Sequence, residues 1–106
     1  MNTNREFKMH GGISGAAVGV RVKFSSGEDR VSRVLDDGTV EISLNASNSS
    51  AEQVNSSLIR YLASISAVNP KNIEVVAGEG GNKKLVTFTN VSKEKVQQAI
   101  TDQLVV

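Results

Sequence analysis

Apolar and polar residues alternate with period two from 16 to 24, with Val18, Val20, Val22 and Phe24 on one side and Gly19, Arg21 and Lys23 on the other. That pattern predicts a half-buried strand. Residues 31–35 predict a weaker, irregular strand, and Asp36-Asp37-Gly38 a tight turn into the next one. In that next strand, 39–45, Val40, Ile42 and Leu44 point inward and Glu41 and Ser43 outward. The period then changes. Ala51, Val54, Leu58, Tyr61, Leu62 and Ile65 recur at helical spacing, Ile59 widens the stripe, and Ser56, Arg60 and Ser64 face out. Ser50 is the expected N-cap, Glu52 suits the positive end of the helix dipole, and Asn69-Pro70 is the expected stop. Residues 73–76 read as a short buried strand. A glycine-rich link, GEGGNKK, leads to a strand over 85–89 with Val86 and Phe88 inward. Ser92 then caps a last helix whose apolar side carries Val96, Ala99, Ile100 and Leu104.

The predicted order is ββαββα. Elements with one apolar face each predict an α+β fold, a two-layer α/β sandwich of four main strands with both helices packed on one face. The other face is expected to be wet, carrying Arg21, Lys23, Glu41, Ser43, Glu74, Thr87 and Thr89. The Asp-Asp-Gly turn predicts antiparallel pairing of the first two main strands, and the glycine-rich link predicts the same for the last two. Residues 1–15, MNTNREFKMHGGISG, lack periodicity and read as a flexible N-terminal arm before a single domain over 16–106.

Composition narrows the function classes. At 106 residues with 39% hydrophobic and 22% charged residues, the chain fits one ordinary globular domain. Three phenylalanines, one tyrosine and no tryptophan leave the core to aliphatic side chains. A net charge of +1 does not force a polyanion partner, but a local basic patch stays open. The lack of cysteine excludes disulfides and thiolate metal sites. No apolar run approaches the about 20 residues of a membrane span, and the N-terminus has neither a secretory h-region nor a basic amphipathic presequence. The expected location is the cytoplasm, with no membrane partner.

The elements also resemble a known family. VRVKF, DDGTVEISLNA, the helix with Asn55 and LIRYLA, NPKNIEVVAGE, KKLVTF and NVSKEKVQQAI follow the order and spacing of the YggU-like family, a small domain of unknown function, from about Val18 to Leu104. The family's double proline and Gly-Lys-Ala-Asn run is replaced here by SNSSAEQVN, which keeps only Asn55. Its later Ser-Gly, Ser-Arg and lysine become AGEGGNKK, keeping Gly78 and Lys84. The chain therefore looks like a divergent member. The resemblance implies the fold and no activity.

Seven residues are candidates for ligand or partner contact: Asn55, Gly78, Glu79, Lys83, Lys84, Arg21 and Lys23. Asn55 puts an amide on an apolar stripe, where it either bonds backbone of the preceding loop or touches a ligand in a pocket. GEGGNKK has the glycines and lysines of a phosphate cradle but leads into a strand rather than a helix, so it reads as a hairpin loop. Arg21, Lys23, Lys83 and Lys84 form either a solvated mixed-charge face or a phosphate-binding patch without aromatic residues for base stacking. His10, the only histidine, supports neither a zinc site nor a catalytic triad, and Asp36-Asp37 reads as turn chemistry. No catalytic residue, metal ligand or cofactor is assigned.

The expected function is a non-enzymatic binding or accessory protein of unknown partner. Two alternatives stay open: an RNA- or nucleic-acid-associated module using the basic patch, and an enzyme with a small-molecule pocket near Asn55. A monomer or weak homodimer is expected, the latter through an exposed strand edge.

Overall fold

A computed structural model describes residues 9–11, 15–24, 27–36, 38–45, 50–77 and 83–104. Among them the chain forms six strands: β1 (Met9–Gly11), β2 (Gly15–Phe24), β3 (Arg30–Val34), β4 (Val40–Leu44), β5 (Ile73–Ala77) and β6 (Lys83–Thr89). The helices are α1 (Ala51–Ser66) and α2 (Lys93–Leu104), with a 3-10 turn at Pro70–Asn72. This is a mixed α/β domain, compatible with the α+β class, but its strand count and topology differ from the expectation.

All six strands join one sheet, ordered β3-β4-β2-β6-β5, with β1 paired to β2 off that path. The pairing expected for the first two main strands is corrected. β2 and β4 run parallel, in the register Val20↔Val40, Val22↔Ile42 and Phe24↔Leu44. The Asp-Asp-Gly turn instead closes an antiparallel hairpin between β3 and β4. Gly38 sits there at φ 88°, its N–H donating to the Leu35 carbonyl at 2.9 Å, and the Leu35 N–H donates to the Thr39 carbonyl at 2.7 Å. That positive φ explains the glycine. A turn fixes its two flanking strands, and the preceding one is β3.

The antiparallel pair expected at the other end is present, as β5 against β6. β5 lies at the sheet edge rather than inside it, and Val76 is accordingly exposed. The proposed arm over 1–15 is also revised in part. Met9–Gly11 forms a strand antiparallel to β2, and Gly15 begins β2 itself. A three-residue strand held by backbone ladder bonds leaves no side-chain periodicity to detect.

One core cluster joins both helices to one face of the sheet. Val54, Leu58 and Leu62 of α1 and Val96 and Ile100 of α2 are buried with Val18, Val20, Val22, Ile42, Val86 and Phe88. α1 begins as its sequence implies: the Ser50 hydroxyl accepts the Gln53 N–H at 3.2 Å, and the Gln53 side chain accepts the Ser50 N–H at 3.2 Å. This is a complete capping box. The helix stops earlier than Asn69-Pro70, at Ala67, which adopts φ 54° and donates its N–H to the Ala63 carbonyl. Pro70 starts the 3-10 turn instead, with the Asn69 side chain accepting the Lys71 N–H at 2.9 Å. A left-handed alanine is strained where glycine is not. Ala67→Gly is therefore expected to stabilise the fold by about 1 kcal/mol, read as a higher urea midpoint at unchanged slope; a lower midpoint would contradict the assigned cap.

Candidate functional site

The face of the sheet opposite the core collects basic residues from three strands. Strand alternation turns Arg21 and Lys23 away from Val20 and Val22, and both are exposed. Arg21 lies directly across from Lys83 on β6 and from Glu41 on β4, and Glu41 lies across from Arg33 on β3. One row therefore reads Arg33, Glu41, Arg21, Lys83. Its neighbour reads Arg30, Ser43, Lys23. Strand spacing puts neighbours in a row roughly 4.8 Å apart at the backbone.

Arg30 and Arg33 reach the same face because β3 shifts register between Val31 and Arg33. Such a bulge places two residues opposite one and breaks the simple alternation. Neither residue appears among the sequence-derived candidates. The signal was present: a hairpin turn after Val34 places Arg33 opposite the strand that carries Glu41.

The middle strand of the face is closed rather than wet. Glu41 and Ser43 are buried, contrary to expectation, and all five residues of β4 are inaccessible. Arg33 Nε approaches Glu41 Oε1 at 3.3 Å while the arginine side chain stays 66% exposed. The Ser43 and Ser32 hydroxyls lie 2.6 Å apart. β4 thus lies between strands with long side chains, and among the described residues the two rows hold five cations and one carboxylate. Arg21 stands opposite Lys83 as a like-charge cross-strand pair, and Lys83 makes an interaction of its own within the fold. Glu74, the next acid on this face, lies opposite Thr87, four β6 positions from Lys83.

Lys84 does not belong to this group. It pairs with Val20, shares a side with Val86 and Phe88, and is 5% exposed. Lys84 makes an interaction within the fold. Asn55 is separate again: it lies on α1, on the helix side of the sheet, and is half-buried. Its Oδ1 is buried without a hydrogen-bond partner among the described residues. Gly78 and Glu79 lie outside the described residues. So does the side chain of His10, whose backbone pairs with Ala17. Of the seven sequence-derived candidates, the structure brings together Arg21, Lys23 and Lys83.

Among the described residues, no group of three or more His, Cys, Asp or Glu could hold a metal ion, and no helix is long and apolar enough to cross a membrane. The arrangement offers exposed guanidinium and ammonium donors on a pleated surface, with no aromatic side chain in either row. Such a surface can bind phosphates electrostatically but has no platform for stacking bases. No family model matches this chain, and no curated protein matches it closely enough to be counted a relative.

Proposed function

We propose that this chain is a small non-enzymatic binding domain whose partner is a nucleic acid, held by its phosphates against the β3-β4-β2-β6 face. The carrying observation is the two-row block of Arg30, Arg33, Arg21, Lys23 and Lys83 around a single carboxylate. Net charge of +1 gave no hint of this, because a charge summed over the chain does not say where its cations gather. Arginine dominates the block, and its planar fork suits phosphate oxygens. With no base-stacking residue in the rows, the binding rests on the phosphates and is insensitive to sequence. The resemblance to the YggU-like family rests on the order and spacing of the segments quoted above, and we carry it as part of the same proposal.

Fluorescence anisotropy of a labelled mixed-sequence RNA, measured from about 50 to 200 mM salt, tests the reading. Neutralising about four phosphates predicts a slope near −3 in log K against log salt. Arg21→Glu with Lys83→Glu should remove binding and leave the thermal midpoint near that of the parent. Binding that ignores salt, or that survives the double reversal, would reject the basic face as the site.

A further inference from the structure

A groove of about 510 Å³ lies on the helix side, between α1 and the segment entering β3, lined by Asp29, Ser57, Arg60, Tyr61 and Ser64. The helical residues follow i, i+3, i+4 and i+7 spacing, so one face of α1 supplies one wall. Asp29 forms the other. Its Oδ1 accepts the Asn45 N–H at 2.8 Å, which holds the carboxylate in place. Tyr61 packs against the core cluster, and its hydroxyl accepts the Val31 N–H at 2.9 Å. The phenolic proton is then left for donation into the groove. Burial pushes the Tyr61 hydroxyl above its ordinary pKa, the Val31 amide lowers it, and the Asp29 and Glu28 carboxylates raise it. The groove therefore feels negative charge from the β3 side.

Arg60 faces the same groove without pairing with Asp29. Opposite charges line the two walls with no ion pair joining them, and the hydroxyls of Ser57, Tyr61 and Ser64 line the same groove. An anion alone would meet the carboxylates, and a cation alone would meet the guanidinium. A ligand with both charges satisfies both walls. We infer that this groove binds a small zwitterion of the α-amino-acid class, its carboxylate on Arg60 and its ammonium on Asp29. The volume is within the range of small-molecule sites. An open, polar groove of this kind binds weakly, on the order of millimolar. This site is independent of the basic sheet face.

Amide chemical-shift titrations of the full chain with L-serine, L-serine methyl ester and N-acetyl-L-serine test the inference. L-serine should shift the amides of Ser57, Arg60, Tyr61 and Ser64, while the ester and the N-acetyl compound each bind at least about tenfold more weakly. Arg60→Gln, at an exposed helix position, should keep the dispersed spectrum and lose the L-serine shifts. Equal binding of the N-acetyl compound would make this an anion site, and equal binding of the ester a cation site; either overturns the proposal. So would shifts that persist in Arg60→Gln, or no shift at these four amides.

Discussion

Phe88→Ala is expected to cost about 3–5 kcal/mol of folding stability. Phe88 is 1% exposed and is the bulkiest of the fully buried side chains. On the sheet it stands between Ala16 of β2 and Ile73 of β5. Ala16 is small, so the phenyl ring fills space that no neighbour on that side can reclaim. β6 is hydrogen-bonded along both edges, to β2 and to β5, so the backbone cannot move in to close the cavity. Poor relaxation puts a site at the upper end of the large-to-small range. A domain of ordinary stability holds about 5–15 kcal/mol in total, so the variant should lose a large part of its denaturant midpoint. Leu85→Ala is the matched control, three positions earlier on the opposite face of β6 and 36% exposed. It should change stability by less than about 0.5 kcal/mol. Urea unfolding of both variants decides the matter. A loss below about 1 kcal/mol for Phe88→Ala would mean that the core around it is not closely packed.

Lys84→Glu is the second large effect, again of about 3–5 kcal/mol. Its neighbour Lys83 is exposed, whereas Lys84 is 5% exposed on the core side, opposite Val20. Reversal at position 84 forces a carboxylate into a setting arranged for an ammonium. Reversal at position 83 places the new carboxylate on an exposed face, where water can solvate it. Lys84→Met separates charge from volume: a buried ion replaced by an apolar side chain of similar length is often tolerated. The expected order of thermal midpoints is Lys83→Glu near parent, Lys84→Met close below or above, and Lys84→Glu far lower. If Lys84→Glu melted with Lys83→Glu, the inward placement of Lys84 would be wrong.

Lys84 also illustrates what the chain discloses before its structure is known. It stands two positions before Val86 and four before Phe88, so the period-two pattern that correctly turns those two inward turns Lys84 inward as well. The expected strand began at Leu85 and left Lys84 in the glycine-rich link, so its inward turn was missed. Alternation was a sound guide to faces: Val18, Val20, Val22, Val40, Ile42 and Leu44 are all buried as expected. It carries no information about neighbours. A strand's apolar face is the same whether it pairs parallel or antiparallel, which is why the β2–β4 pairing was missed. The hairpin turn did name a neighbour, but β3 was too polar and too disturbed by its bulge to claim it. Arg30 and Arg33 went unnoticed for the same reason, and with them two of the five cations of the basic face. Helix starts were legible because Ser50 and Ser92 cap through their own side chains, the Ser92 hydroxyl accepting the Lys95 N–H at 3.1 Å. The end of α1 was not, because Ala67 caps with its backbone alone.

The central place of β2 has a consequence for the order in which the fold is made. β2 is followed by 58 residues before its neighbour β6 begins at Lys83, since 83 − 24 − 1 = 58. At about 5–20 residues per second, a ribosome needs roughly 3–12 s to supply them. β1 can meet β2 at once, but it covers only residues 16–18. β4 supplies a partner for Val20, Val22 and Phe24 once residues 40–44 emerge, but the opposite edge of β2 has none until β6 is made. The two hairpins, β3–β4 and β5–β6, can each close locally as they emerge. The strand that joins them is made before either hairpin and keeps one edge open until β6 emerges, so the nascent chain is most exposed to mispairing at the strand that later lies at the middle of its sheet.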